Sequence, residues 1–126
     1  MARVTTSTLD KMLQDKDPIT MLTCTDASFA SMLDAAGIDI FLIGDSLGMV
    51  VQGYDSTLPV TMDDMIYHTQ CVARKTDRAL ILGDLPFGSY QQSPQQAFEN
   101  AAHLMSAGAH MVKCCAMDTT GEIIER

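Results

Sequence analysis

The regular alternation of short apolar runs with amphipathic stretches most constrains what this chain can fold into. Ile19 to Cys24 (ITMLTC), Ile38 to Ile43 (IDIFLI), Ala79 to Leu82 (ALIL) and Ala109 to Cys115 read as strands. Helical patterns lie between them. Asp26 to Ala36 places Phe29, Met32, Leu33 and Ala36 on one face, with Gly37 as its stop. Thr61 with Asp64 caps a helix whose shared face carries Met62, Met65, Ile66, Thr69, Val72 and Ala73. Ser93 is an N-cap, with Pro94 at the first helical position and Gln96 at the third. Its helix bears Ala97, Phe98, Ala101, Leu104 and Met105 and stops at Gly108. A short helix over residues 7–16, opened by Ser7-Thr8-Leu9-Asp10 and ended by Pro18, precedes the first strand. Leu47 to Val60 reads as a longer loop, and Thr119 with Glu122 caps a terminal helical stub. The order is a short helix, three βα units and a fourth strand. It predicts an α/β fold with about four parallel strands in a single domain over residues 1–126.

Composition narrows the partners. Eight Lys and Arg stand against 16 Asp and Glu, a formal net charge of −8. That balance excludes nucleic acid or an anionic membrane as the main partner, because both demand clustered basic residues. No apolar run approaches membrane-spanning length, and the first residues lack the apolar core of a secretory signal, so a cytoplasmic location is expected. Cys24, Cys71, Cys114 and Cys115 show no metal-type spacing and are expected as reduced thiols. Ten Met and no Trp predict a core packed with thioethers.

In parallel α/β architectures, ligands bind beyond the C-terminal ends of the strands. Asp45 follows the second strand, Asp84 follows the third, and Lys113 lies near the end of the fourth. Two carboxylates with nearby hydroxyls are hard oxygen ligands suited to Mg²⁺, and a lysine beside them would neutralise a bound carboxylate. An Asp after a strand also serves as a turn former or helix cap, and spacing alone leaves the two readings level. Gly44-Asp45-Ser46-Leu47 matches the short motif of a serine esterase family (GDSL-type), in which Ser46 would be the nucleophile. None of His68, His103 or His110 has the Asp three residues earlier that such a family supplies.

Longer motifs carry a more specific likeness. Ile43 to Met49 (IGDSLGM), Val51 to Thr69 (VQGYDSTLPVTMDDMIYHT), Gly83 to Tyr90 (GDLPFGSY) and Ser93 to Lys113 resemble the ketopantoate hydroxymethyltransferase (3-methyl-2-oxobutanoate hydroxymethyltransferase) family. The resemblance runs from about Thr5 to Lys113 and corresponds to the N-terminal half of that family. It implies half of a (β/α)₈ TIM barrel and transfer of a hydroxymethyl group from 5,10-methylenetetrahydrofolate to 3-methyl-2-oxobutanoate, giving 2-dehydropantoate. It also implies Mg²⁺ as cofactor, bound at Asp45 and Asp84, and substrate contacts at Asp45, Ser46, Asp84 and Lys113. Cys115 stands where the family has a metal-associated Glu, and Cys24-Thr25 where it usually has Ala-Tyr. The family's catalytic Glu falls beyond Arg126, so no catalytic base is assigned within the chain.

A full barrel takes about 250 residues. The expectation is therefore a truncated half-barrel with impaired transferase activity, and a homo-oligomer if the barrel is completed. Two alternatives remain from the residues alone: a non-catalytic module that binds a keto acid or Mg²⁺ or self-associates through open sheet edges, and the serine esterase.

Overall fold

The four apolar runs pair as one parallel sheet, because each is followed by an amphipathic segment long enough to return the chain to the same end. A computed structural model describes residues 2–114. It contains α1 (Thr6–Gln14), β1 (Met21–Thr23), α2 (Ala27–Ala35), β2 (Ile40–Ile43), α3 (Leu47–Val50), α4 (Met62–Ala73), β3 (Leu80–Asp84), α5 (Pro94–Ala107) and β4 (Met111–Lys113). The strands lie in the order β1-β2-β3-β4, all parallel. No helix of the described residues is long and apolar enough to cross a membrane.

Register decides which side chains share a face. Ile40 pairs with Leu80, Leu42 with Leu82, and Leu82 with Met111, so alternate residues of neighbouring strands point the same way. One face buries Phe41, Ile43 and Ile81 in a cluster with Met65, Val72 and Leu104 from α4 and α5. The other carries Ile40, Leu42, Leu80, Leu82 and finally Asp84. On that second face Met21 and Met111 are exposed, and Ile40, Leu42 and Leu82 are half-buried.

Several expected details differ. The α1 capping box is formed by Thr5 and Thr8, two residues earlier than Ser7 and Asp10. The helix ends at Gln14, before Pro18 can act. Lys16 takes a left-handed φ of 58°, its N–H bonds Leu13 O at 3.2 Å, and Asp17 N–H bonds Met12 O at 2.9 Å. This pattern closes the helix by itself. Lys16→Gly removes the steric cost of that conformation and is expected to raise stability by about 1 kcal/mol, read as a higher urea midpoint at unchanged slope.

The helix stripes are narrower than expected: Leu33 of α2 and Ala97, Ala101 and Leu104 of α5 pack on the core as expected, but the large residues at the stripe edges do not. Phe29 and Met32 of α2 and Phe98 and Met105 of α5 are exposed, whereas Ala30 and Leu104 are fully buried. The thioether core is also not observed. Among the described residues Met65 is the one methionine fully buried, and the interior is built from Ile, Leu, Val, Ala and Phe41. A four-residue helix, α3, interrupts the expected loop after β2. The strands β1 and β4 are three residues each, shorter than expected. Cys24, Cys71 and Cys114 are free thiols, as expected. Cys115 and the terminal stub at Thr119 and Glu122 lie outside the described residues.

At the N-terminal end of the sheet, polar groups tie consecutive units together. The Asp34 carboxylate accepts the N–H groups of Asp77, Arg78 and Ala79 at 2.8–3.2 Å. Arg78 pairs with Asp39 at 2.7 Å and donates to the carbonyls of Gly37 and Ile38. Burial alone raises both carboxyls, but these hydrogen bonds, those from the Thr20 N–H and hydroxyl to Asp39, and the Arg78 charge outweigh it and hold Asp34 and Asp39 below the usual range.

Candidate active site at the C-terminal end of the sheet

The opposite end of the sheet gathers charge. Asp84 is the last residue of β3 and sits directly across the ladder from Lys113, the last residue of β4. Lys113 Nζ lies 2.8 Å from Asp84 Oδ1. The second carboxylate oxygen, Oδ2, accepts the backbone N–H of Asp45 at 3.1 Å. Asp84 thus joins the ends of β2, β3 and β4 through one buried carboxylate, while the Lys113 side chain stays 45% exposed.

Gly44 lies between these groups. A Cβ there would stand 3.1 Å from Ser46 Oγ, a tight approach, and 3.5 Å from Asp84 Oδ2, an ordinary contact, so a larger residue would press on the Ser46 hydroxyl. Ser46 precedes α3 and makes no side-chain capping bond, which leaves its hydroxyl outside the helix hydrogen bonding. Burial raises the Asp45 carboxyl above its usual range, and the neighbouring Asp84 charge adds to the rise; Lys113 and the Thr57 hydroxyl oppose it. The structure therefore brings Asp45, Ser46, Asp84 and Lys113 together.

Sequence reasoning did not find Thr57. It lies in the loop after α3, and its reach to Asp45 depends on how that loop folds back. The fold-back is set by close packing at Gly48, where a Cβ would meet Val60 Cγ2 at 2.4 Å. No spacing rule encodes that contact.

The described histidines are engaged elsewhere. His68 Nδ1 donates to Thr25 O at 2.8 Å, His103 lies in the groove between α4 and α5, and His110 stands at the N-terminal end of β4. None of the hydrogen bonds these rings make goes to Ser46. The Ser46 hydroxyl instead shares its surroundings with a carboxylate that is already ion-paired.

Among the described residues no three His, Cys, Asp or Glu side chains converge as a metal cage. Two carboxylates and a hydroxyl remain a hard oxygen set. Mg²⁺ typically takes one or two carboxylates and keeps several waters, so the donors present suit that ion and not a soft one.

The curated 3-methyl-2-oxobutanoate hydroxymethyltransferase of Chromobacterium violaceum is 58% identical, over 98% of this chain and 49% of its own length. That of Thiobacillus denitrificans is 61% identical, over 87% of this chain and 42% of its own length. The chain thus spans about half the length of the curated relatives it matches. Among solved structures, phosphonopyruvate hydrolase in complex with oxalate and Mg²⁺ superposes with a TM-score of 0.67 at 11% identity, over 82% of this chain and 36% of that one. 2,3-Dimethylmalate lyase, a PEP mutase/isocitrate lyase superfamily member, gives 0.64 at 17% identity, over 89% of this chain and 38% of that one. These two likenesses show the fold: four parallel strands with their helices, corresponding to part of a TIM barrel. The family described as ketopantoate hydroxymethyltransferase matches residues 3–126, past Lys113 where the motif-by-motif likeness stopped. On that match and these relatives, the chain belongs to the ketopantoate hydroxymethyltransferase family.

Proposed function

We propose that this chain carries the metal and keto-acid half of a hydroxymethyltransferase site. The reaction is transfer of a one-carbon unit from 5,10-methylenetetrahydrofolate to 3-methyl-2-oxobutanoate, giving 2-dehydropantoate. The observation that most supports the reading is the single Asp84 carboxylate joining Asp45 and Lys113 at the ligand-binding end of the sheet.

Each residue has a role that its surroundings fit. Asp45 and Asp84 hold Mg²⁺, whose charge would relieve the repulsion between two crowded carboxylates. Bound there, the ion supplies Lewis acidity to an α-keto acid. Lys113 is mobile enough, at half exposure, to turn its ammonium to the substrate carboxylate. Ser46 offers a hydroxyl donor beside it. The assigned residues include no general base, so the 126-residue chain alone is expected to bind substrate and turn it over near background.

Isothermal titration of the chain with 3-methyl-2-oxobutanoate tests the reading. Heat of binding is expected with Mg²⁺ present and is expected to vanish with EDTA. No binding in either condition would overturn the assignment. A condensation assay run alongside separates a working transferase from a module that binds keto acid without turnover.

A further inference from the structure

At the end of the sheet away from the carboxylates, one bond of the β3–β4 ladder is not made by backbone. His110 N–H donates to Ile81 O at 2.8 Å in the ordinary way. The return bond, from Ile81 N–H, ends on the Nδ1 ring nitrogen of His110 at 2.9 Å. An N–H can only donate, so Nδ1 must be the bare nitrogen and a neutral ring carries its proton on Nε2. Nε2 faces Arg3 Nη1 at 3.2 Å. Arg3 is held there by the carbonyls of Ala79 and Thr76, at 3.4 and 3.2 Å. With Nε2 protonated, that contact sets donor against donor and adds no hydrogen bond.

We propose that His110 is a pH-sensitive latch on β4: unprotonated, it pins the start of the strand to β3, and protonation releases that start. A second proton would have to enter at Nδ1, where it displaces the Ile81 N–H bond and sets an imidazolium against the Arg3 guanidinium. Among the described residues Arg3, from the N-terminal segment, is the charged group facing the ring; β3 faces it with the Ile81 amide. Arg78, on the approach to β3, turns its guanidinium to Asp39 instead. Burial, and then the Arg3 charge, push the His110 imidazole below its usual range. A depressed folded value means the contribution to stability is fully present above the unfolded value of about 6.5 and is lost as pH falls through the folded one. Because β4 is three residues long and ends on Lys113, slack at its start reaches the residue paired with Asp84.

The test uses the 126-residue chain, ¹⁵N-labelled, and needs no ligand, so it stands apart from the proposed transferase function. At pH 7.5 the ring nitrogen shifts are expected to report Nδ1 bare and Nε2 protonated. The protection factor of the Ile81 amide is expected to drop about tenfold per unit as the ring titrates. His110→Asn places Oδ1 near the position of Nδ1 without a titrating group. It is expected to keep Ile81 protected and flatten the dependence, whereas His110→Leu loses protection at every pH. A proton found on Nδ1 at pH 7.5 overturns the proposal even if neither variant folds. So does a wild-type pH dependence that survives in His110→Asn.

Discussion

Asp84→Asn is expected to weaken Mg²⁺-dependent binding of 3-methyl-2-oxobutanoate by about a hundredfold, the upper end of what losing even an outer-shell partner of a metal site costs. Asn keeps the shape of the side chain and an oxygen for the Asp45 N–H, but it removes the charge shared by the cation and Lys113. The fold is expected to survive. Lys113 is half exposed and is rehydrated once its partner is neutral, so the stability change is about 1 kcal/mol or less. Titration calorimetry gives the affinity and a urea curve gives the stability. Wild-type binding in the variant would remove Asp84 from the metal site. Lost binding with a lost fold would point to a structural carboxylate only.

Gly108→Ala is expected to be the most destabilising Gly→Ala change among the described residues, at about 3 kcal/mol from overpacking and backbone strain together. Gly108 ends α5 with a φ of 126°, and a Cβ there would lie 2.4 Å from Cβ of Ala73 on α4. Neither atom is the end of a flexible side chain, so relief requires the helices to part. Gly53→Ala is the control. Its φ is 80° and its Cβ direction is open, so it pays the backbone cost alone, about 1 kcal/mol. Chemical denaturation of both variants separates the two contributions. Equal losses would mean the α4–α5 approach is not tight in solution.

The sequence carried the strand-helix order because it is written in local signals: Asp26, Thr61 and Ser93 each cap the helix their pattern announced. Strand ends were legible for the same reason, which is why Asp45, Asp84 and Lys113 could be named before their distances were known. What was not legible depends on long-range approach. Periodicity alone does not tell whether Phe29 or Ala30 faces the sheet, because both are apolar and the segment is apolar on more than one side. The methionines misled because a residue that fits any gap is equally tolerated outside. Thr57 and His110 act through a loop fold-back and a strand register respectively, and neither is a property of neighbouring residues.

The strand order has a consequence for how the chain reaches this structure. Every strand pairs with the one following it, so no contact in the sheet has to wait for a distant end of the chain. The spans to be closed are unequal: Met21 to Ile40 covers 19 positions, Leu82 to Met111 covers 29, and Ile40 to Leu80 covers 40. Each doubling of a closed span adds about 0.6 kcal/mol of chain entropy. The β1–α2–β2 unit therefore has the smallest entropic barrier, and the β2–β3 junction, with the longest excursion, has the largest. That junction is the one where Asp34 and Arg78 reach across from one unit to the next. It is also where the Asp45 amide meets Asp84, so the site sits on the pairing that costs the most chain entropy to close.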